Sequence, residues 1–305
     1  MDFYKEIELY KKALDESNLE CSSLLSSKEY CLGKRILLFV KAIKTMDFRV
    51  IKRLVKGKQA KLKIRNSFSA KKNLCKIEES VPNYEARIAV YTCITGNYDD
   101  VIEPLFSRGN IDFFVFSENA SSKESKWLHK NIPSYLSQYD NTMINRYIKL
   151  HPHVFFNDYD YSVYVDGNVK IVNDITTLLS QTNCKSGVAM YNHCQRDCLY
   201  DEALMCLLSG KGCNSQIKKQ IQLYRQNKFP VHWGLKEATV IFTDLRNNIS
   251  KTILENWWHE LNKSKSKRDQ LSFPYSLWKN GFDMRDVGTL GDDIYHDVFF
   301  RVYPH

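Results

Sequence analysis

These 305 residues contain no glycine-rich phosphate loop, neither G-x-G-x-x-G nor the Walker pattern, which argues against a fingerprint-type dinucleotide fold and a P-loop enzyme. No apolar stretch comes near the ~18–20 residues of a membrane span. The N-terminus MDFYKEIELYKK is charged throughout, so no signal peptide is predicted and a cytoplasmic location is expected. The nine cysteines lack paired spacing, which suits packed thiols in a reducing compartment rather than a disulfide framework. One stretch gathers His193, Cys194, Cys198, Cys206 and Cys213, but without the paired ligand spacing of structural zinc it reads as packed thiols too.

Positive excess is also missing from most of the chain. Residues 1–33 sum to −3 and residues 73–305 to −1, whereas residues 34–72 carry +13, which brings the total to +9. Projecting residues 34–56 at helical period gathers Ile36, Phe39, Val40, Ile43, Met46, Val50 and Leu54 on one face, with Lys41, Arg49, Lys52 and Lys56 opposite. This predicts a basic amphipathic helix. It either packs with a solvated lysine face or lies on an anionic membrane surface. No groove-reading motif or aromatic-interleaved basic platform accompanies the charge, so nucleic acid is not expected as a partner.

At 43% hydrophobic content the chain can bury one sizeable core. After Pro82 the pattern changes to short β-rich runs at 86–95, 111–118, 161–171, 186–193 and 237–245, with helices expected at 141–157, 200–227 and 249–262. The expected organisation is a basic helical extension over 1–82 and an α/β domain over 83–305. Such sheets place ligands at the carboxyl ends of their strands.

The first strand ends in Thr92, Thr95, Gly96, Asn97 and Tyr98, where a glycine and small hydroxyls let backbone approach a nucleotide and the tyrosine can stack on a base. YSVYVDGNVKI runs an apolar strand into Asp166, Gly167 and Asn168. Two oxygen-bearing side chains two residues apart can hold Mg²⁺ or Mn²⁺ against a diphosphate; a plain Asp-Gly turn is the other reading. Arg146 and Lys149, three apart on a predicted helix, can grip phosphates or form a solvated face. His193 and Arg196 precede Glu202 at a helix start, and Glu237 precedes a buried strand; these suit sugar hydroxyls, or in Glu202 a favourable helix-dipole position.

The ordered set NRYIKLHPHVFF, YSVYVDGNVKI, HCQRDCLYDEA, GLKEATVIFTDLRN and SKRDQLSFPYSLWKNG resembles the glycosyltransferase-like domain family formerly catalogued as a domain of unknown function, found in bacterial capsule and O-antigen loci and in plant cell-wall and mucilage proteins. The resemblance covers about residues 86–285. It implies a GT-A-like fold, a mixed and mostly parallel sheet covered by helices, and transfer of a sugar from a nucleotide-sugar donor to a polysaccharide or lipid-linked glycan such as capsule or lipopolysaccharide. Asp166 and Asn168 fall at the place of the family's metal-binding D-x-D, Thr92 to Tyr98 border the nucleotide, and Arg146 and Lys149 face the donor. Asp269 and Gln270 resemble the late Asp-Gln element beside the sugar in retaining enzymes; in an inverting reaction Asp269 would be the general base. Glu202 is the other carboxylate expected at the transferred sugar. Related transferases often supply a C-terminal histidine as a third metal ligand, for which His296 and His305 are the candidates. The departure is Asn168, an uncharged ligand where a second carboxylate is usual, which weakens the expected metal dependence. The competing expectation is a noncatalytic glycan- or lipid-binding protein that keeps the fold.

Overall fold

The computed structural model describes residues 85–96, 98–119 and 124–303. The predicted helical extension, its amphipathic face and the boundary at residue 82 lie outside the described residues, as do Asn97 and His305. A seven-stranded sheet has the order β3-β2-β1-β4-β7-β6-β8. Its strands are β1 (Ile88–Cys93), β2 (Ile111–Ser117), β3 (Trp127–Asn131), β4 (Tyr161–Val165), β6 (Val188–Asn192), β7 (Lys236–Asp244) and β8 (Gly288–Thr289). Only β7 runs against its neighbours, pairing antiparallel with β4 and β6; the other pairs are parallel. This is the mixed, mostly parallel sheet expected of a GT-A-like domain.

Both faces of the central strands are buried, which explains their nearly unbroken apolar sequences. In β1, Ile88 and Val90 point to one core while Ala89 and Tyr91 point to the other, as the two-residue strand period requires. Beneath the second face lie α1 (Asn141–Leu150), α5 (Asn248–Ser264) and α6 (Asp269–Lys279), which contribute Ile148, Trp257 and Phe273. The first face is closed by the 3-10 turn Ile175–Thr182 and by a ribbon of β5 (Val169–Ile171) with β9 (Phe300–Val302). A third cluster joins α3 (Leu199–Ser209), α4 (Asn214–Gln226) and α6 through Cys206, Ile221, Tyr224 and Tyr275.

Three expected elements are interrupted. The run 161–171 is two strands, because Val169 N–H bonds back to Asp166 C=O and the chain leaves the main sheet to pair with β9. The helix expected over 200–227 ends at Gly210, whose φ of +69° makes the left-handed cap that side chains disfavour. At His151 the helix expected over 141–157 stops, and Pro152 opens the short α2 (Pro152–Phe155), where its missing N–H costs nothing.

Candidate active site

A cleft of about 730 Å³ opens at the carboxyl ends of β1 and β4. Asn141 and Thr142 of α1, Glu202 of α3 and Asp269 and Gln270 of α6 line it, so the first turns of three helices border one space. Each helix brings partial positive charge there, which favours anions.

At its floor Lys149 is only 1% exposed, and its ammonium lies 2.8 Å from Asp269 Oδ2 and 3.5 Å from Asp166 Oδ1. Arg146 Nε approaches the same Asp269 oxygen at 3.3 Å. Asp166 Oδ1 also accepts from the Tyr164 hydroxyl at 2.9 Å. The predicted cations are therefore matched to carboxylates: Lys149 sets the two acids, while Arg146, 18% exposed, keeps access to the cleft. Helix α1 is tied to the end of β1 by Asn145, which donates to Cys93 C=O at 2.6 Å, and by Thr95, which donates to Asn141 C=O at 3.0 Å.

Gly96 takes φ +64° and donates to Glu118, turning the chain after β1. A Cβ on Gly167 would meet Asp99 Oδ2 at 2.8 Å and Ile94 Cγ1 at 3.2 Å, so a side chain there requires the Asp99 carboxyl to shift. Tyr98 lines the cleft and is 70% exposed. Thr92 is buried inside β1 and does not line the cleft.

Around Glu202 a second group forms. Arg196 Nε lies 2.6 Å from Glu202 Oε2, and His193 Nε2 lies 3.4 Å from it and 3.9 Å from Glu237 Oε2. Backbone N–H groups of Gln195 and Arg196 both point at His193 Nδ1, and the Arg196 guanidinium lies 3.2 Å from its Nε2. Glu237 Oε1 accepts from Thr239 and, at 2.9 Å, from the Gln270 amide, leaving Oε2 for other partners.

These surroundings separate the three carboxyls. Burial opposes ionisation of Asp269, but the charges of Arg146, Lys149 and Arg268 outweigh it and hold the group well below the usual carboxylate range. Glu202 is likewise desolvated, yet its bond from His193 and the Arg196 charge bring it down to about 2. In Glu237 burial wins, with Asp166 and Glu202 adding to it against His193 and Thr239, and its proton affinity is raised. Asp269 and Glu202 are thus held as anions by their cations, Glu202 pairing with Arg196, whereas Glu237 is the carboxyl whose proton affinity is raised.

Asp166 and Asn168 both line the cleft, and Asn168 Nδ2 donates to Tyr303 C=O at 2.7 Å, a bond that does not use its Oδ1. A carboxylate and an amide oxygen are the hard donors a divalent ion would take there. His296 does not join them: its ring is 85% exposed, pairs with Asp293 at 2.8 Å and is not on the cleft wall. Among the described residues, the one close group of three potential ligands is Cys198, Asp201 and His232, away from the cleft.

Lys211, Lys267, Arg268 and Tyr295 line the cleft without having been singled out from sequence. Arg268 directly precedes the Asp-Gln element, a usable signal; Lys211 and Tyr295 come from a helix-terminal turn and the distant C-terminal segment, where no pattern marks them.

No curated protein matches the chain in sequence. Among solved structures it is similar to the bifunctional glycosyltransferase WbbM (TM-score 0.43, 13% identity, 69% of this chain and 40% of that one). Similarity extends to the Streptococcus pneumoniae TIGR4 glycosyltransferase GlyE (0.39, 13%, 69% and 46%) and to mouse xyloside xylosyltransferase 1 (0.40, 8%, 67% and 84%). The chain thus spans less than half of the first two, and likenesses this distant carry no mechanism. Residues 64–287 match the family described as TOD1/MUCI70, glycosyltransferase-like domain, and this span takes in the cleft up to Gln270. The chain belongs to that glycosyltransferase-like family.

Proposed function

We propose that the protein transfers a sugar from a nucleotide-sugar donor to a polysaccharide or lipid-linked glycan of the cell surface, such as capsule or O-antigen. The observation that carries this reading is the buried Lys149 holding Asp166, at the end of β4, and Asp269, at the start of α6, in a cleft bordered by three helix N-termini. The nucleotide borders Thr95, Gly96 and Tyr98, and its diphosphate lies at Asp166, Gly167 and Asn168. A divalent ion on the Asp166 and Asn168 oxygens would neutralise charge on the leaving diphosphate. Asp269 and Gln270 lie beside the transferred sugar. Glu237 Oε2 takes the acceptor hydroxyl's proton as that oxygen attacks the anomeric carbon; the bond to the diphosphate breaks and its electron pair leaves with the diphosphate. A single displacement of this kind inverts the anomeric centre, in contrast to the retention that the Asp-Gln resemblance implies.

Isothermal titration with a panel of nucleoside diphosphates, followed by a donor-hydrolysis screen, tests the reading. One nucleotide should bind and its sugar conjugate should be slowly hydrolysed. A protein that binds glycan but ignores every nucleotide is instead the noncatalytic alternative.

The +13 segment suits a site of action on the cytoplasmic face of the membrane, where anionic lipid contributes about 1 kcal/mol per nearby cation. The full chain is expected to sediment with phosphatidylglycerol vesicles at low salt. Exchanging Lys41, Arg49, Lys52 and Lys56 for Gln should release it without loss of donor hydrolysis. Vesicle binding that persists through the fourfold exchange at every salt concentration would remove these residues from any membrane role.

A further inference from the structure

The cleft is electrically uneven. Lys149 and Arg146 are matched to Asp166 and Asp269, whereas the ion pairs of Arg196, Lys267 and Arg268 on the cleft wall run to Glu202 and Asp140, with Arg268 also bonding Gln270 at 3.4 Å and acting on Asp269. Arg196 pairs with Glu202 and Lys267 with Asp140, both at 2.6 Å, while Arg268 reaches Glu202 only at 3.9 Å. Its Nε is buried and finds no hydrogen-bond acceptor among the described residues. Lys211 is exposed. Lys211 and the loosely paired Arg268 thus leave positive charge on this part of the wall, which the donor diphosphate as proposed above does not use.

The turns that carry these cations are built against each other. Gly212, at φ +83°, has no room for a side chain: a Cβ would lie 2.8 Å from Ser266 C=O and 2.9 Å from Arg268 Cγ. Cys213 N–H bonds to Ser266 C=O, and the Ser266 hydroxyl accepts from Arg268 N–H. Lys267 itself adopts φ +62°, a region a side chain enters only when its surroundings impose it. Packing between the α3–α4 and α5–α6 turns therefore holds Lys211, Lys267 and Arg268 on one rim.

We propose that this rim is a second oxyanion subsite, which receives a phosphate or carboxylate group of the glycan acceptor. Arg supplies a planar fork and the lysines supply point charges, a combination that binds either anion. The inference rests on the transferase reading and narrows its acceptor to an acidic glycan.

The test uses the full chain and three probes, inorganic phosphate, methyl glucuronide and methyl glucoside, titrated with and without a saturating nucleoside diphosphate. Phosphate or methyl glucuronide should bind while methyl glucoside does not, and the nucleotide should not displace the anion. Phosphate alone points to a phosphorylated acceptor, and the glucuronide alone to a uronate. Lys211→Gln with Lys267→Gln should weaken the anion at least tenfold and leave nucleotide affinity within twofold; Arg268 is kept because its charge acts on Asp269. Lys211→Gln alone, which removes no ion pair described above, should give a smaller loss of the same kind. The subsite is overturned if neither anion binds, if the double variant binds as wild type does, or if nucleotide competes the anion away, which would give the cations to the donor. Failure of every nucleotide to bind would instead sink the transferase reading, with the anion titrations read separately.

Discussion

Lys149→Met is expected to destabilise the protein by about 3–5 kcal/mol, the usual consequence of removing one partner from a buried ion pair. Its side chain is 1% exposed and that of Asp269 5%, so solvent cannot take over the lost charge. Arg146 Nε remains 3.3 Å from Asp269, which places the effect towards the lower end. In a domain of this size such a loss lowers the unfolding midpoint by about 6–20 °C. Adding Asp269→Asn should recover part of it, because the double variant no longer buries an uncompensated carboxylate. Donor hydrolysis, measured well below the lowered midpoint, should fall as well, since Asp166 loses the ammonium 3.5 Å from its oxygen. Calorimetry of the single and double variants decides: a midpoint shift no larger than that of a surface substitution would deny Lys149 its bridging role.

The fold was legible wherever the local pattern answered to burial. β1, β2, β6 and β7 stand within two residues of their predicted runs because strands covered on both faces, the antiparallel β7 included, must be largely apolar throughout. β3 escaped because Trp127–Asn131 is an edge strand with one buried residue in five, too polar to stand out. The break at Asp166 was hidden for a different reason: the residues after it are as apolar as a continuing strand, but their partner is β9, more than a hundred residues away.

Individual site residues were legible by type, while their pairing was not. Arg146 and Lys149 are recognisable as two cations on one helix face, yet nothing local says that Lys149 points at Asp269, 120 positions later. That contact holds Asp269 as a clamped anion, and three-dimensional packing rather than composition raises the proton affinity of Glu237.

Glu237→Gln should therefore reduce turnover by about 10²–10⁴, the range for losing a general base, while nucleotide affinity stays near wild type. In the wild type kcat/KM should fall as pH drops through the raised value of Glu237, above the ~4.3 of a free glutamate, and the variant should lack that acidic limb. The same shift separates catalysis from folding. A carboxyl raised in the folded state favours its protonated form there, so its contribution to stability is present at low pH and lost as pH rises through that value. Near neutrality the wild type carries the cost of a buried anion that the neutral amide avoids, and Gln can still accept from Gln270 and Thr239 through its own oxygen. The variant should consequently unfold no earlier than wild type at pH 7 while turning over far more slowly. If its turnover stays within a few fold of wild type and its product keeps the donor's anomeric configuration, Glu237 is not the base, and the retaining role implied for Asp269 and Gln270 takes its place.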